Sequence, residues 1–289
     1  HYCFGGSRGS KVLIYLIIYK KGSARFACTL GRGEDNVLRC PFSAPFGYLE
    51  EIKSKQSVSD FYRAAAAVND YLDNANEKAV TITFPPLFYD NKIIGVWINA
   101  LFQTGWKVEY FEINYAFHIP DIFENYESKI AHNARKNLRI AEQSGLQLVH
   151  CNTEFEKKEA YQIIKKNREM KGYPLRMSEE QVMKTIEIVK SDMYIVYFEG
   201  NGIASALVYE VTDDIVQVVY WGHIPGFSEK KPINFLAYEL LKIYFKNGYN
   251  YLDIGPASEQ GIADFGLCDF KDSIGCMRDL KIKMSRKTE

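Results

Sequence analysis

The stretch from Pro232 to Gly275 contains the lysine whose setting is most suggestive of chemistry. It reads as helix, strand, loop and short helix, and it ends in Phe270-Lys271-Asp272-Ser273-Ile274-Gly275. A lysine ammonium at such a place is a positive charge that could stabilise a developing anion. The alternative from spacing alone is a solvent-exposed lysine on a short helix.

Basic residues just before the C-terminal half form a second group of candidates. Ile122 to Ser144 is predicted to be one long amphipathic helix that ends at Gly145. Its basic residues recur at i, i+3 and i+4, so most share one face: Lys129, His132, Arg135, Lys136 and Arg139. This face indicates either an anion-binding stripe for a phosphorylated substrate or tRNA, or a solvated linker helix with ordinary surface charge.

The elements that must position Lys271 follow that helix. Periodicity, a capping box at Ser178 and turn residues predict the order β-α-α-β-β-β-α-β-α-β. The predicted elements are Leu146–His150, Glu154–Lys171, Ser178–Lys190, Met193–Phe198, Ile203–Val211, Ile215–Trp221, Pro232–Gly248, Tyr249–Ile254, Gly261–Phe270 and Cys276–Met284.

The first half repeats this order of elements without recognisable sequence identity. A hairpin, a third strand, a helix, a strand, a helix and a strand are predicted at Val12–Leu30, Val37–Cys40, Ser57–Asn74, Ala79–Phe84, Ile93–Thr104 and Lys107–Ile113. The leading strand and two helices have no counterpart here. We therefore predict two domains, an N-terminal one at 1–120 that lacks its first elements and a C-terminal one at 121–289 that begins with the linker helix.

Composition excludes several classes of protein. Lys plus Arg and Asp plus Glu both number 36, so no global field draws the chain to polyanions. The longest apolar run, Val12–Tyr19, is too short to span a bilayer. Six cysteines without a CxxC pair or a zinc-spaced histidine favour a reducing cytoplasm and no structural metal. No P-loop, dinucleotide fingerprint or zinc motif is present.

Five segments resemble the Fem-type branch of the GNAT acyltransferase superfamily, which includes peptidoglycan cross-bridge aminoacyltransferases and FemAB-like or BioF2-like relatives. The one around the lysine, Gly266-Leu267-x-x-Phe270-Lys271-x-x-x-Gly275, is similar to the family's G-L-x-x-F-K-x-x-F-G signature, with Ile274 in place of the second Phe. The others are Arg135 to Leu146, Asn167-Arg168-Glu to Arg176, Tyr220-Trp221-Gly222 with Pro232 to Tyr238, and Ser43 to Gly47.

The resemblance implies a mixed α+β fold of two GNAT-like domains in tandem, each with a mostly antiparallel central sheet flanked by helices. It implies that Lys271 stabilises the oxyanion and that Phe270 shields it from water. It also implies that Arg176 contacts the phosphates of a nucleotide-linked acceptor, because a guanidinium fork suits phosphate oxygens. Tyr220, Trp221 and Tyr238 could line the acceptor cleft or belong to the core. No general base is assigned.

The donor site departs from that of a CoA-dependent GNAT enzyme. The expected glycine-rich phosphate loop reads His223-Ile-Pro-Gly226 through Lys231-Pro232, with one glycine and a proline that removes an amide donor. We therefore expect a Fem-like N-acyltransferase that acts on a cell-envelope or glycan precursor, with aminoacyl-tRNA or acyl-CoA as co-substrate. The alternatives are an acyl-CoA-dependent N-acetyltransferase of an amino sugar or small amine, and a non-catalytic ligand-binding module.

Overall fold

The computed structural model of the chain describes residues 12–42 and 44–287, so Ser43 lies outside the described residues. The chain forms two compact units that are discontinuous in sequence. Unit 1 contains the residues up to Ile113, Ser258–Ile262 and the residues from Asp279 onward, and unit 2 contains Asn114–Ala257 and Ala263–Arg278. The contiguous domains 1–120 and 121–289 stay a prediction.

The first part of the chain begins with strands and continues with helices and strands in turn. In chain order they are β1 Val12–Lys20, β2 Ser23–Arg32, β3 Leu38–Cys40, β4 Glu50–Glu51, α1 Val58–Asn74, β5 Ala79–Thr83, a 3₁₀ turn Leu87–Tyr89, α2 Ile94–Gln103 and β6 Lys107–His118.

Three helices then lead into the second part. The elements are α3 Ile119–Phe123, α4 Tyr126–Lys129, α5 His132–Gln143, β7 Gln147–His150, α6 Glu154–Lys171, α7 Glu179–Ile186, β8 Ser191–Phe198, β9 Asn201–Glu210, β10 Ile215–His223, a 3₁₀ turn Ser228–Lys230, α8 Pro232–Lys246, β11 Tyr251–Pro256, β12 Ser258–Glu259, β13 Ile262–Ala263, α9 Phe265–Ser273 and β14 Met277–Lys287.

Both units share one strand order. The strands follow β1-β2-β3-β5-β14 in unit 1 and, in the matching positions, β8-β9-β10-β11-β6 in unit 2, where β7 is a further strand beside β8. In each unit an antiparallel meander meets its next strand in parallel, β3 with β5 and β10 with β11. A helix, α1 or α8, connects each parallel pair, as a crossover requires. The predicted repeat and the mixed α/β class with mostly antiparallel sheets are confirmed.

The last strand of each unit comes from the other half of the sequence. In unit 1, β5 pairs with β14, whose Ile282 and Met284 join the unit 1 core. In unit 2, β11 pairs with the end of β6, where Tyr251 faces His118 and Asp253 faces Ala116. The sequence pattern predicted these strands but not their partners, because strand pairing is a long-range property.

The predicted long helix between Ile122 and Ser144 is wrong, since the chain forms α3, α4 and α5 there. Asn125 takes a left-handed conformation with φ of 86°, and Ile130 is extended. Asn tolerates the left-handed region better than most residues, so the local sequence permits the break. Only α5 ends close to the predicted stop at Gly145.

Local signals determine where α6 begins and ends. The Thr153 hydroxyl accepts from the Glu156 N–H, and the Glu156 carboxylate accepts from the Thr153 N–H at 2.8 Å, which completes a capping box at the start of α6. Gly172 ends α6 in the left-handed conformation that glycine adopts without strain. The buried face of α6 packs against β9 and β10.

Among the described residues, none of the helices has both the length and the apolar character needed to cross a bilayer.

Candidate functional site

The parallel strands of unit 2 separate soon after they meet. The ladder between β10 and β11 contains three pairs and ends with Gln217 beside Asp253. Beyond that pair, β10 continues along β9 as far as His223, with an irregularity between Val218 and Tyr220. The end of β11 therefore leaves β10, and the residues around Ile254 to Pro256 border the resulting gap.

A buried carboxylate occupies the point where the strands part. Asp253 is fully buried, and its oxygens accept from Asn114 Nδ2 at 2.8 Å, from Gln217 Nε2 at 2.9 Å and from the Gly255 N–H at 2.8 Å. Several hydrogen bonds of this kind stabilise a carboxylate inside a protein. This network connects β6, β10 and β11 at one position.

The Lys271 side chain lies beside this network and is only 2% exposed. Its ammonium donates to three consecutive carbonyls, those of Ile254 at 3.0 Å, Gly255 at 2.8 Å and Pro256 at 3.0 Å. The Tyr115 ring lies 5.4 Å from Nζ, within the range of a cation–π contact. Burial lowers the pKa of Lys271 to about 8, while Cys276 and Asp253 act in the opposite direction.

An arginine lies between two tyrosine rings on the α6 side of the sheet. The Arg168 guanidinium carbon is 5.3 Å from the Tyr220 ring centre and 5.9 Å from that of Tyr173. Within the described ranges, Arg168 has no carboxylate partner. Burial lowers the pKa of Arg168, and the charge of Arg176 adds to this effect. Two arginines therefore concentrate positive charge beside aromatic surface.

This arginine cluster, Arg168 with Arg176, Tyr173 and Tyr220, is tied to the helix that carries Lys271. The Tyr173 hydroxyl donates to Asp264 Oδ2 at 3.3 Å. The other oxygen of Asp264 accepts from the Leu267 N–H and caps α9. The arginine cluster is thereby joined to the first turn of α9, whereas Lys271 occupies the last turn.

The predicted substrate-binding residues do not all meet at this place. Arg176 is exposed and Tyr220 is buried, both in the arginine cluster. Trp221 is half-buried, and it follows Tyr220 on β10, so it points to the opposite face of the sheet. Phe270 is half-buried on α9 next to Lys271.

The remaining three predicted residues lie near the C-terminal end of α9. Tyr238 stacks on Tyr126 with ring centres 5.2 Å apart, and the Tyr126 hydroxyl donates to the Ile274 carbonyl. Arg135 donates to the Glu127 carbonyl at 2.6 Å, and Arg139 pairs with the Glu127 carboxylate at 2.9 Å. These arginines hold α4 against α5, and their role in binding stays a prediction.

A cavity of about 300 Å³ also lies in unit 2, next to the residues that follow α9. Its lining residues are His118, Asp121, Ile122, Lys129, Gly275 and Met277. None of the predicted substrate-binding side chains is among them.

The start of α8 offers few free amides for a phosphate. Pro232 has no N–H, and the Asn234 N–H donates to the Lys231 carbonyl at 3.1 Å, beside the ordinary first helical bond from the Phe235 N–H at 3.2 Å. A pyrophosphate cradle at a helix N-terminus needs such groups unpaired. The arrangement agrees with the departure from a CoA loop that the sequence indicates.

Sequence reasoning missed four contributors to the site. Asn114, Tyr115 and Gln217 carried no local signal, because they reach Asp253 and Lys271 only through strand pairing. Arg168 stood in one of the quoted segments without an assigned role. Arg168 follows Asn167 at the end of an amphipathic helix and precedes Tyr173 by five residues, and this pattern could have indicated a binding role for it.

Comparison with known proteins supports the fold. By sequence, no protein-family model and no curated protein matches the chain. By structure, it is similar to FemX, with a TM-score of 0.66 and 13% identity over 96% of this chain and 88% of that one. It is also similar to L-PGS from Bacillus licheniformis, with a TM-score of 0.60 and 11% identity over 95% of this chain and 85% of that one.

A third similar structure is a tandem GNAT protein from the clavulanic acid biosynthesis pathway, with a TM-score of 0.52 and 8% identity over 96% of this chain and 83% of that one. Each likeness extends over nearly the whole chain. The fold is thus a Fem-like tandem GNAT fold, as the resemblance predicted. At these identities the likeness concerns architecture, and function must be argued from the site.

Proposed function

We propose that this protein is an N-acyltransferase of Fem-like type that transfers an aminoacyl or acyl group to the amine of a phosphate-bearing acceptor. The acceptor class we favour is a nucleotide-linked precursor of the cell envelope or a glycan. The observation that carries the proposal is Arg168, half-buried between two tyrosine rings, beside Arg176 and without a carboxylate partner in the described part of the chain. A guanidinium in that state is prepared to receive an anionic ligand.

The reaction asks little covalent help from the protein. The deprotonated acceptor amine attacks the carbonyl carbon of an activated acyl donor, a C–N bond forms, and the donor's ester or thioester bond breaks with release of an alcohol or thiol. The amine's second proton leaves as the tetrahedral intermediate collapses. What the site must supply is orientation and a favourable field. Tyr220, Phe270, Trp221 and Tyr238 remain proposed contacts for the substrates.

The two donors are not equally favoured. An acyl-CoA would normally place its pyrophosphate at the start of α8, where Asn234 and Phe235 already donate to Lys231. Aminoacyl-tRNA is the donor we favour, although the zero net charge leaves phosphate neutralisation to local patches. We propose a cytoplasmic location from the cysteine pattern.

Ligand-induced stabilisation tests this proposal. Thermal unfolding would be followed with a nucleotide-linked muropeptide, with UDP, with short-chain phosphatidylglycerol, and with CoA and acetyl-CoA. A ligand at a hundred times its Kd adds about 2.7 kcal/mol to the unfolding free energy. We expect the muropeptide to stabilise the wild type, Arg168→Ala to abolish that shift, and Arg63→Ala, an exposed arginine of unit 1, to keep it.

The remaining arms separate the alternatives. Stabilisation by CoA that survives Arg168→Ala would overturn the proposal in favour of the acyl-CoA enzyme. Stabilisation by phosphatidylglycerol alone would place a lipid phosphate in the arginine cluster, since the phosphate is the group that both acceptors share. Amide product detected by mass spectrometry with aminoacyl-tRNA would exclude the non-catalytic module.

A further inference from the structure

Three consecutive carbonyls point at one ammonium in unit 2. The Lys271 Nζ atom lies 2.8 to 3.0 Å from the oxygens of Ile254, Gly255 and Pro256. A lysine ammonium has three N–H donors and no acceptor. Each donor therefore has its own carbonyl, and the 2% exposure of the side chain leaves no room for a fourth partner.

The three carbonyls belong to a β-bulge. Asp253 pairs with Ala116 and Pro256 pairs with Asn114, so β11 uses three steps where β6 uses two. One extra residue therefore stands on β11 between the pairs. Gly255 has φ of 74°, a conformation that glycine adopts without strain.

Opposite charges hold this bulge at two points. The Asp253 carboxylate accepts from the Gly255 N–H, and the Lys271 ammonium donates to the Ile254 carbonyl of the same peptide and to the Gly255 carbonyl that follows. Removal of the ammonium would take the side-chain donor from three carbonyls, of which those of Ile254 and Gly255 are buried. A buried carbonyl left without a donor costs about 1–3 kcal/mol. The bulge stands where β11 leaves β10, at the border of the gap described above.

We infer that Lys271 is a positioning residue, whose ammonium fixes the Ile254–Pro256 bulge at the edge of the substrate gap and acts on the reaction through that backbone. The inference rests on the proposed function and refines it. The resemblance predicts direct contact between Lys271 and the oxyanion. Such contact would require the ammonium to release one of its three carbonyls inside a dry site.

The groups around Lys271 agree with this role. The carboxylates of Asp253 and Asp264 raise its pKa against the larger effect of burial, the Cys276 and Cys268 thiols face it, and the Tyr115 ring covers it. Cys268 Sγ lies 3.6 Å from the Ala257 carbonyl, so α9 holds the chain on both sides of the bulge. The lysine is enclosed by the structure that it stabilises.

The test needs no substrate, so it can fail independently of the proposed function. Lys271→Met, Lys271→Arg and the exposed control Lys246→Met would be compared by thermal unfolding and by hydrogen exchange of peptides that contain Ile254 to Ala257. We expect Lys271→Met to lower Tm by roughly 5 °C or more and to speed exchange there about tenfold. Lys271→Arg should recover part of both, and Lys246→Met should change neither.

Wild-type protection and Tm in Lys271→Met would overturn the inference. If that variant does not fold, reductive methylation of the wild type decides. Lys271 should stay unmodified while Lys246 reacts, and equally rapid methylation of Lys271 would refute its enclosure. In a turnover assay a positioning role predicts changes in both kcat and KM with partial rescue by Lys271→Arg, whereas loss of kcat alone at unchanged Tm and exchange would favour oxyanion contact.

Discussion

In unit 1 the last ladder pair between the parallel strands is Cys40 with Ile82, whereas in unit 2 the corresponding pair is Gln217 with Asp253. The first pair is apolar and buried. The second is equally buried but polar, and its two side chains share a hydrogen bond of 2.9 Å. Two units with the same strand order thus differ in chemistry at the same point.

The space beyond that pair is also filled differently. In unit 1 the chain after β3 returns along β5, where the Gly47 N–H donates to the Thr83 carbonyl at 2.8 Å and buried Phe42 lies against Gly31. In unit 2 the carbonyls at the end of β11 instead accept hydrogen bonds from the Lys271 ammonium. In unit 1 this place is filled by apolar side chains such as Phe42. In unit 2 it holds two buried charged groups, Asp253 and Lys271.

The difference supports placing the proposed site in unit 2. Buried charges cost free energy unless they are paired and hydrogen-bonded, and perturbed titratable groups concentrate at functional sites. Unit 1 shows that this topology closes stably with apolar residues alone at the parting of its strands. The polar pair in unit 2 therefore supports placing the site there. Three further experiments test this difference between the units.

Loss of the buried carboxylate should have the largest effect. Asp253→Leu leaves the Asn114 amide, the Gln217 amide and the Gly255 N–H without their acceptor. We expect the unfolding free energy to fall by about 3–5 kcal/mol in chemical denaturation. Ile82→Val at the matching position of unit 1 should cost about 1 kcal/mol.

A second substitution sharpens this result. Gln217→Leu combined with Asp253→Leu removes both partners of one bond, which is less costly than stranding one of them. The double variant should therefore recover part of the loss. Equal costs for Asp253→Leu and Ile82→Val would show that the polar pair has no special place in unit 2.

The pH dependence of stability should show the next largest effect. Burial lowers the pKa of Lys271 from 10.5 to about 8, so between these values the unfolded chain binds more protons than the folded protein. The contribution of Lys271 to stability therefore rises with pH in this window, by up to about 3 kcal/mol. Arg in its place does not titrate there.

The measurement is the difference in unfolding free energy between wild type and Lys271→Arg from about pH 7 to about pH 10. Burial raises the pKa of Cys151, which makes both proteins less stable as pH rises, and this effect cancels in the difference. We expect the difference to grow in favour of the wild type. A flat difference would mean that the Lys271 pKa is the same in the folded and unfolded states.

The smallest effects should come from two matched glycines. An added Cβ would meet Phe42 at 2.3 Å from Gly31 in unit 1, and Asn167 at 2.4 Å from Gly222 in unit 2. Either Gly→Ala change should cost about 1–3 kcal/mol. Only Gly222→Ala should also reduce the muropeptide-induced Tm shift, because Asn167 immediately precedes Arg168 on α6. A reduced shift in Gly31→Ala would contradict the contrast between the units.

Elements with local start and stop signals could be predicted from the sequence. The bounds of α6, predicted from periodicity, agree with the structure, in which Thr153 and Glu156 cap the helix and Gly172 ends it. Pro232 marked the start of α8. The break in the Ile122–Ser144 segment was missed, because its periodicity continues through the left-handed Asn125.

The candidate site could be predicted only in part. The residues around Lys271 indicated that it matters, but its enclosure depends on carbonyls of β11, which no spacing rule predicts. Asn114 and Gln217 lie 139 and 36 positions from Asp253, and only the pairing of three strands brings them together. The arginine cluster likewise needs Tyr220 from a distant strand.

The exchange of last strands makes the two sequence halves depend on each other. A fragment of residues 121–289 would lack Asn114 and Tyr115, and a fragment of residues 1–120 would lack Ile282 and Met284 from its core. We expect neither fragment to fold alone, and we expect the two to regain native structure only when they are expressed together. Split-protein complementation is therefore a natural property of this architecture.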